Sequence, residues 1–489
     1  MGGRKDNFDL TPSTTSQYSS WFPSQPVIEK RFLAFLLIIC WAPLPLGSNR
    51  PWSWSLLSLL CLLVAGFILW DAYRKNKLIE NVAPYRRGIL LLLGIPVFAT
   101  LQIIPLPSGV IELLSPAALD LHTSTLDRSF LPLSIDPART QQMVILSWAY
   151  WAYFVAGLTI IDSTRKLRIL LWVVAGCGVF QAVYGSLMTL SGIEYSFFME
   201  KTAYVGFATG TFINRNHLAG YLEMALACGV GLLIASLQMQ KSRDWGVWFQ
   251  RLLDTLLGPK IFLRLGLALM VVALVLTRSR MGNVAFFASL PLCGALMLIL
   301  QRKFNRNVIF LLVSLIAIDM FILGDWFGIE EVAQRIQTTD YLAEGRDEVA
   351  MDSISIIREY PFFGTGLGTF FSIFPGYQSM GTSSYYTHAH NDYLEFVLML
   401  GLFGTLPAAA LLLYVLGNNL RAMVIRKNRL CQGAVFASTM GVVSILIHGF
   451  FDFNLQIPAN SLLFVTLLMI GLLAGRVKSE SRRINLVRY

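Results

Sequence analysis

Apolar runs of about 17 to 25 residues, each long enough to cross a hydrocarbon core of about 30 Å as a helix, recur along almost the whole chain. In lipid every backbone N–H and C=O must be satisfied within the protein, so such runs fold as helices. A soluble chain of 489 residues would divide into roughly three domains, but 55% hydrophobic residues, 14% charged residues and a mean hydropathy of +0.59 exclude that class. Spans are expected near 31–48, 52–72, 88–106, 141–161, 167–190, 215–238, 261–277, 281–301, 308–325, 392–417, 432–450 and 457–476. The seventh is the weakest, because Arg264 lies in its first turn, where a long side chain must snorkel to the interface.

Charge orients these spans. Of the 39 Lys and Arg residues, 29 fall before the first span, in alternate loops or after the last span, which the positive-inside rule assigns to the cytoplasm. Both termini are then inside. Dropping the seventh span would put the clusters at Arg302 and Arg421 outside, so twelve spans is the self-consistent number. The expected organisation is a disordered cytoplasmic tail over 1–30, nine spans over 31–325, a large outer loop unit with surface helices over 326–391, three spans over 392–476 and a cytoplasmic tail over 477–489. The formal net charge of +10 is accounted for by orientation and contact with the lipid bilayer, and no nucleic-acid motif accompanies it. Five of the six cysteines lie in apolar runs and Cys431 lies at the edge of one, a packing pattern without a disulfide framework or zinc spacing.

Ten cations remain outside. Arg335, Arg346 and Arg358 belong to a loop too long for the charge rule, which leaves Arg215, opening the sixth span, and Arg278 with Arg280, between the seventh and eighth, as the anomalies. Interfacial snorkelling explains any one of them. As a group, with Arg346, they can reach a common outer cleft suited to phosphate oxygens, because helix starts favour anions and guanidinium forks match phosphate geometry. His217 shares the first turn of the sixth span with Arg215.

In the outer loop, the alternation from Gln334 to Ile357 predicts a surface helix stopped by Pro361. The FFGTGLGTF run after it lacks the strand and helix of a phosphate loop and reads as a flexible or tightly turned loop packed on the membrane surface. Just before the tenth span stands Thr387-His388-Ala389-His390-Asn391-Asp392-Tyr393-Leu394-Glu395. Asn391 or Asp392 suits an N-cap, and Asp392 with Glu395 fits a capping box. Two histidines are too few for a metal site, so neither a metal nor a cofactor is expected, whereas a histidine at a helix start suits general-base chemistry near neutral pH. His448 and Asp452, four apart, can share a helix face and a structural hydrogen bond.

These residues give the chain its resemblance to a known family. Leu133-Ser134-Ile135-Asp136-Pro137, the stretch from Thr211 to Glu223, Thr277-Arg278-Ser279-Arg280, Gly345-Arg346, Pro361-Phe362-Phe363-Gly364 and His390-Asn391-Asp392-Tyr393-Leu394 with Gly401 and Gly404 resemble, in that order, the O-antigen ligase and O-antigen or exopolysaccharide polymerase superfamily of bacterial inner-membrane glycosyltransferases. The resemblance implies a GT-C-like all-α polytopic membrane protein with N-in/C-in topology and a periplasmic active site. It also implies a metal-independent, inverting transfer from an undecaprenyl-pyrophosphate-linked glycan to a glycan or lipid acceptor, with a chain-length regulator as an optional partner. On this resemblance His390 matches the base, and Arg215, Arg278 or Arg280, and Arg346 match arginines that hold the donor pyrophosphate. His217, His388, Asn391, His448 and Asp452 rank as secondary candidates. A transporter or flippase for lipid-linked sugars would also need a cationic cleft, but the sequence shows no internal repeat or paired broken helices of the kind alternating access uses.

Overall fold

A computed structural model describes residues 29–124, 129–197, 199–236, 261–301, 313, 346–379 and 385–477. The described chain is an all-α polytopic membrane protein. Its helices are α1 (Lys30–Trp41), α2 (Pro51–Arg74), α3 (Leu78–Val82), α4 (Arg86–Ile103), α5 (Ser108–Leu114), α6 (Pro116–Thr123), α7 (Pro137–Ile160), α8 (Thr164–Ser191), α9 (Arg215–Ser236), α10 (Ile261–Leu276), α11 (Arg280–Gln301), α12 (Arg346–Glu359), α13 (Phe370–Ile373), α14 (Asp392–Ile425), α15 (Arg429–His448) and α16 (Pro458–Arg476). Two small antiparallel ribbons, Leu106–Pro107 with Phe130–Leu131 and Tyr195–Ser196 with Met199–Glu200, lie in the connections.

Among the described residues nine helices are long and apolar enough to cross a membrane, and α10 adds a shorter apolar helix of 16 residues. The expected seventh span is therefore a helix, while the expected span at 308–325, residue 313 apart, lies outside the described residues. The expected first span differs. Only Lys30–Trp41 is α-helical, and the chain then folds into turns through Ser48. Pro43 and Pro45 carry no amide hydrogen for a continuing helix, and Gly47 takes a left-handed φ of +67°. A Cβ on Gly47 would lie 2.5 Å from the ring of Phe212, so the turn packs against the segment that leads into α9.

The core is built around α9, α15 and α16. Nearly every side chain of α9 and α16 is buried, whereas α2, α4 and α14 keep large apolar residues on the outside, as lipid-facing helices do. At the α9–α15 crossing, a Cβ on Gly231 would lie 2.3 Å from the carbonyl oxygen of Gly433, and one on Gly433 would lie 2.1 Å from that of Gly231. Two small residues thus let the backbones touch, which is how helices associate where no hydrophobic effect drives them together.

The second core gathers the connections at one end of the bundle, and its centre is the glycine-rich run. That run is tightly turned, one of the two forms the sequence reading gave it, but it is largely buried rather than laid on a surface. α14 is broken at Gly401 (φ +62°, ψ −175°), a conformation open essentially to glycine alone. The 361–369 segment is inserted into the break: Thr365 and Gly366 amides donate to the carbonyls of Leu398 and Met399, and Leu402 and Phe403 amides donate to those of Pro361 and Phe362, at 2.9 to 3.1 Å. Gln102, at the end of α4, clamps the junction by donating Nε2 to Phe363 O (2.8 Å) and Met399 O (2.9 Å) and accepting from Leu367 N (3.1 Å). The LSIDP run joins from the other side, with Ile135 N donating to Thr365 O and Asp136 capping α7. Irregular backbone is tolerated beside a membrane span when protein groups satisfy it, and here they do.

Candidate active site

The polar turn before α14 is set by two side chains. Asn391 is the N-cap: its Oδ1 accepts from the amides of Tyr393 and Leu394 at 3.0 Å each, and its Nδ2 donates to Phe450 O. Glu395 does not form the expected capping box with Asp392. Its buried carboxylate reaches back across the turn, accepting from Ala389 N (2.9 Å) and meeting His388 Nδ1 (2.7 Å). Held from both ends, His390 adopts a left-handed φ of +50°. A non-glycine residue takes that conformation at a cost of about 1 to 2 kcal/mol, so its surroundings must impose it.

The turn from Gly449 to Leu455, between α15 and α16, closes over α14 from the opposite side. Asp392 latches it: its amide meets Gly449 O (2.8 Å) and Asp452 O (3.1 Å), and its Oδ2 accepts from Leu455 N (3.1 Å). The latch places Phe453 at the centre of three imidazoles. His388 stacks on its face at 4.2 Å between centroids, and His390 and His217 meet it edge-on at 4.8 Å each. With His448 on the adjoining helix end, four of the five histidines in the chain gather at one place.

Asp452, only 1% exposed, stands with Oδ1 3.8 Å from His390 Nδ1. Burial alone pushes its carboxyl up, but the contact with His390 and the charges of His217, His448 and His390 outweigh burial and hold it below the ordinary carboxylate range. The His390 side chain keeps 22% exposure, so the ring is reachable from outside while its Nδ1 is buried. His448 does not hydrogen-bond to Asp452, as the four-residue spacing suggested. It turns instead across the α9–α15 crossing, where its Nδ1 meets Glu223 Oε1 at 2.8 Å, and Ser444 donates to the other oxygen of Glu223 at 2.6 Å. Glu223 and His448 are fully buried.

Two of the four predicted arginines converge. The guanidinium of Arg215 lies 4.3 Å from the centroid of the Phe207 ring and that of Arg278 lies 5.3 Å from it. Each contact is worth about 0.5 to 1 kcal/mol at an exposed site, and together they bring two like charges to one ring, an arrangement that an anion relieves. Phe207 is fixed by the hairpin before it: Glu194 pairs with Lys201, whose Nζ donates to Phe207 O (2.9 Å), while Glu194 Oε1 also accepts from Gly206 N (2.9 Å). Arg280 is exposed at the first position of α11, two residues past Arg278, which is exposed as well. Arg346 opens α12, and its side chain lies outside the described residues.

The arginine stack and the histidine cluster share the first turn of α9, which carries both Arg215 and His217. Among the described residues no three His, Cys, Asp or Glu side chains are grouped to hold a metal ion. Sequence reasoning gave Glu395 only a capping role and did not single out Glu223, Phe207 or Phe453. A carboxylate inside an apolar run is itself a signal, and Glu223 carried it. Phe207 and Phe453 carried none, since aromatic residues abound near membrane interfaces.

No curated protein matches the chain. The family comparison covers residues 265–409, under a third of the chain, and takes in Arg278, Arg280, Arg346, His388 and His390 but not Arg215, His217, Glu223, His448 or Asp452. This segment is similar to the O-antigen ligase family.

Proposed function

We propose that this protein is a glycosyltransferase of the O-antigen ligase or polysaccharide polymerase type, acting at the periplasmic face of a bacterial inner membrane. The donor is a glycan linked to undecaprenyl pyrophosphate, and the acceptor is a hydroxyl of a second glycan or lipid. The observation that carries the reading is the coincidence, within one end of the bundle, of a reachable imidazole beside a buried carboxylate and two arginines on one aromatic ring, in a chain whose residues 265–409 are similar to the O-antigen ligase family.

In the reaction, His390 takes the proton of the acceptor hydroxyl as its oxygen attacks the anomeric carbon of the donor sugar. The bond from that carbon to the pyrophosphate oxygen breaks, with inversion, and the electron pair leaves with undecaprenyl pyrophosphate. Negative charge grows on the leaving group, where Arg215 and Arg278, with Arg346 and Arg280 from the neighbouring helix starts, stabilise it without a metal. The charge distribution supports a cytoplasmic location for both termini and, with it, an outward position for this end of the bundle.

Reconstitution with a defined lipid-linked oligosaccharide tests the proposal. Longer glycan or modified acceptor is expected, together with released undecaprenyl pyrophosphate, and EDTA should not inhibit. His390→Ala should give an inserted, folded protein without transfer. Movement of the lipid-linked sugar across the bilayer with no new glycosidic bond would instead establish a flippase.

A further inference from the structure

Asp452 lies outside the segment that matches the family, on a turn between the last two helices, and faces the inner nitrogen of His390. The carboxylate is oriented from behind: its Oδ1 accepts from the amide of Phe453 at 2.8 Å. The turn is tied to the start of α14 by the Asp392 latch and by Asn391 Nδ2 on Phe450 O, so Asp452 and His390 are held in one frame. Phe453 and Tyr386 each meet the His390 ring close to perpendicular, at 4.8 and 6.2 Å, which restricts its rotation. Nδ1 of His390 is buried and has no hydrogen-bond partner, and a movement of about 1 Å would bring Asp452 within bonding range. Of the other nearby carboxylates, Glu395 is engaged with His388 and Ala389, and Asp392 accepts from Leu455 N.

We propose that Asp452 is the positioning residue of His390: it keeps the neutral ring's proton on Nδ1, so that the lone pair of Nε2 is turned toward the acceptor hydroxyl. The inference rests on the assignment of His390 as the base. In the neutral imidazole one nitrogen donates and the other accepts, and the partner of the first decides which is left to act. When Nε2 takes the acceptor proton, the resulting imidazolium faces the Asp452 carboxylate through Nδ1–H. The proton then leaves from Nε2 to solvent, and Asp452 stays ionised throughout.

Solid-state NMR of 15N-histidine-labelled protein in lipid nanodiscs, with the His390 signal assigned by its loss in His390→Gln, reads this directly. The wild type should carry the His390 proton on Nδ1, and Asp452→Asn should move it wholly or partly to Nε2. Glu395→Gln should leave the His390 signal unchanged. In glycan transfer, Asp452→Asn should lower kcat by about 100-fold or more with KM for the donor changed less than about threefold, and Asp452→Glu should recover part of the loss. A wild-type His390 protonated on Nε2 overturns the proposal, as does an Asp452→Asn protein with the wild-type spectrum or wild-type kcat. If Asp452→Asn does not fold, the wild-type spectrum still decides, together with Asp452→Glu, which should keep the proton on Nδ1. Absence of transfer by the wild type would refute the glycosyltransferase reading alone, because the spectrum reports the histidine–aspartate pairing in either case.

Discussion

Replacing Gln102 by methionine keeps the volume of the side chain and removes its hydrogen bonds. Gln102 is 1% exposed, so water cannot take over. Of its three partners, Met399 O retains the amide of Gly366 at 3.0 Å, whereas Phe363 O and Leu367 N lose the bonds that Gln102 supplies. Each buried polar group left unpaired costs about 1 to 3 kcal/mol, so the substitution should cost roughly 2 to 6 kcal/mol. The loss is local to the junction of α4, the 361–369 segment and the break in α14, and it should loosen the start of α14 that carries His390. Thermal unfolding in detergent should fall by several degrees, limited proteolysis should open within 361–369, and glycan transfer should drop with the protein still inserted. Gln102→Glu should be worse, because it sets a carboxylate oxygen against two carbonyls. Unchanged thermal stability and protease resistance in Gln102→Met would refute the idea that this side chain holds the junction.

Gly433→Ala puts a methyl group 2.1 Å from the carbonyl oxygen of Gly231, and overpacking of this kind costs about 1 to 3 kcal/mol. Folded yield by size-exclusion chromatography should fall, while Gly417→Ala, whose new methyl meets nothing within 4 Å, should behave as the wild type. Arg278→Lys removes the planar cation from Phe207 and should raise KM for the lipid-linked donor about tenfold, against a change of less than about threefold for Arg86→Lys, at the opposite end of α4 from Gln102. Equal effects of the two lysine variants in steady-state transfer assays would contradict the assignment of Arg278 to the stack.

Hydropathy located the helices because lipid leaves an apolar run few alternatives, and the helix at Ile261–Leu276 follows the charge alternation that required it. The same one-dimensional signal is blind to the break in α14: Leu400-Gly401-Leu402 remains an apolar run whether the helix continues or stops. Pro43-Leu44-Pro45-Leu46-Gly47, by contrast, held the warning that the first helix would end early. At the site, the polar turn before α14 was legible because Asn391 caps a helix through its own sequence neighbours. The pairing of His448 was not legible, since Glu223 lies 225 residues away and only packing of α9 on α15 brings the two together. The contact of Arg278 with Phe207 was likewise not legible, since no local spacing supplies it.

The interruption at Gly401 divides α14 into a short piece, Asp392–Leu400, and a long membrane piece. The short piece is about 13 Å long, and one end is fastened to the 361–369 backbone while the other follows directly on His390. It is a lever whose pivot belongs to the 361–369 segment, and α12 also packs against α14. His390 is therefore aimed by the segment connecting α12 to α13, so a change confined to that loop would re-aim the ring and leave the bundle untouched.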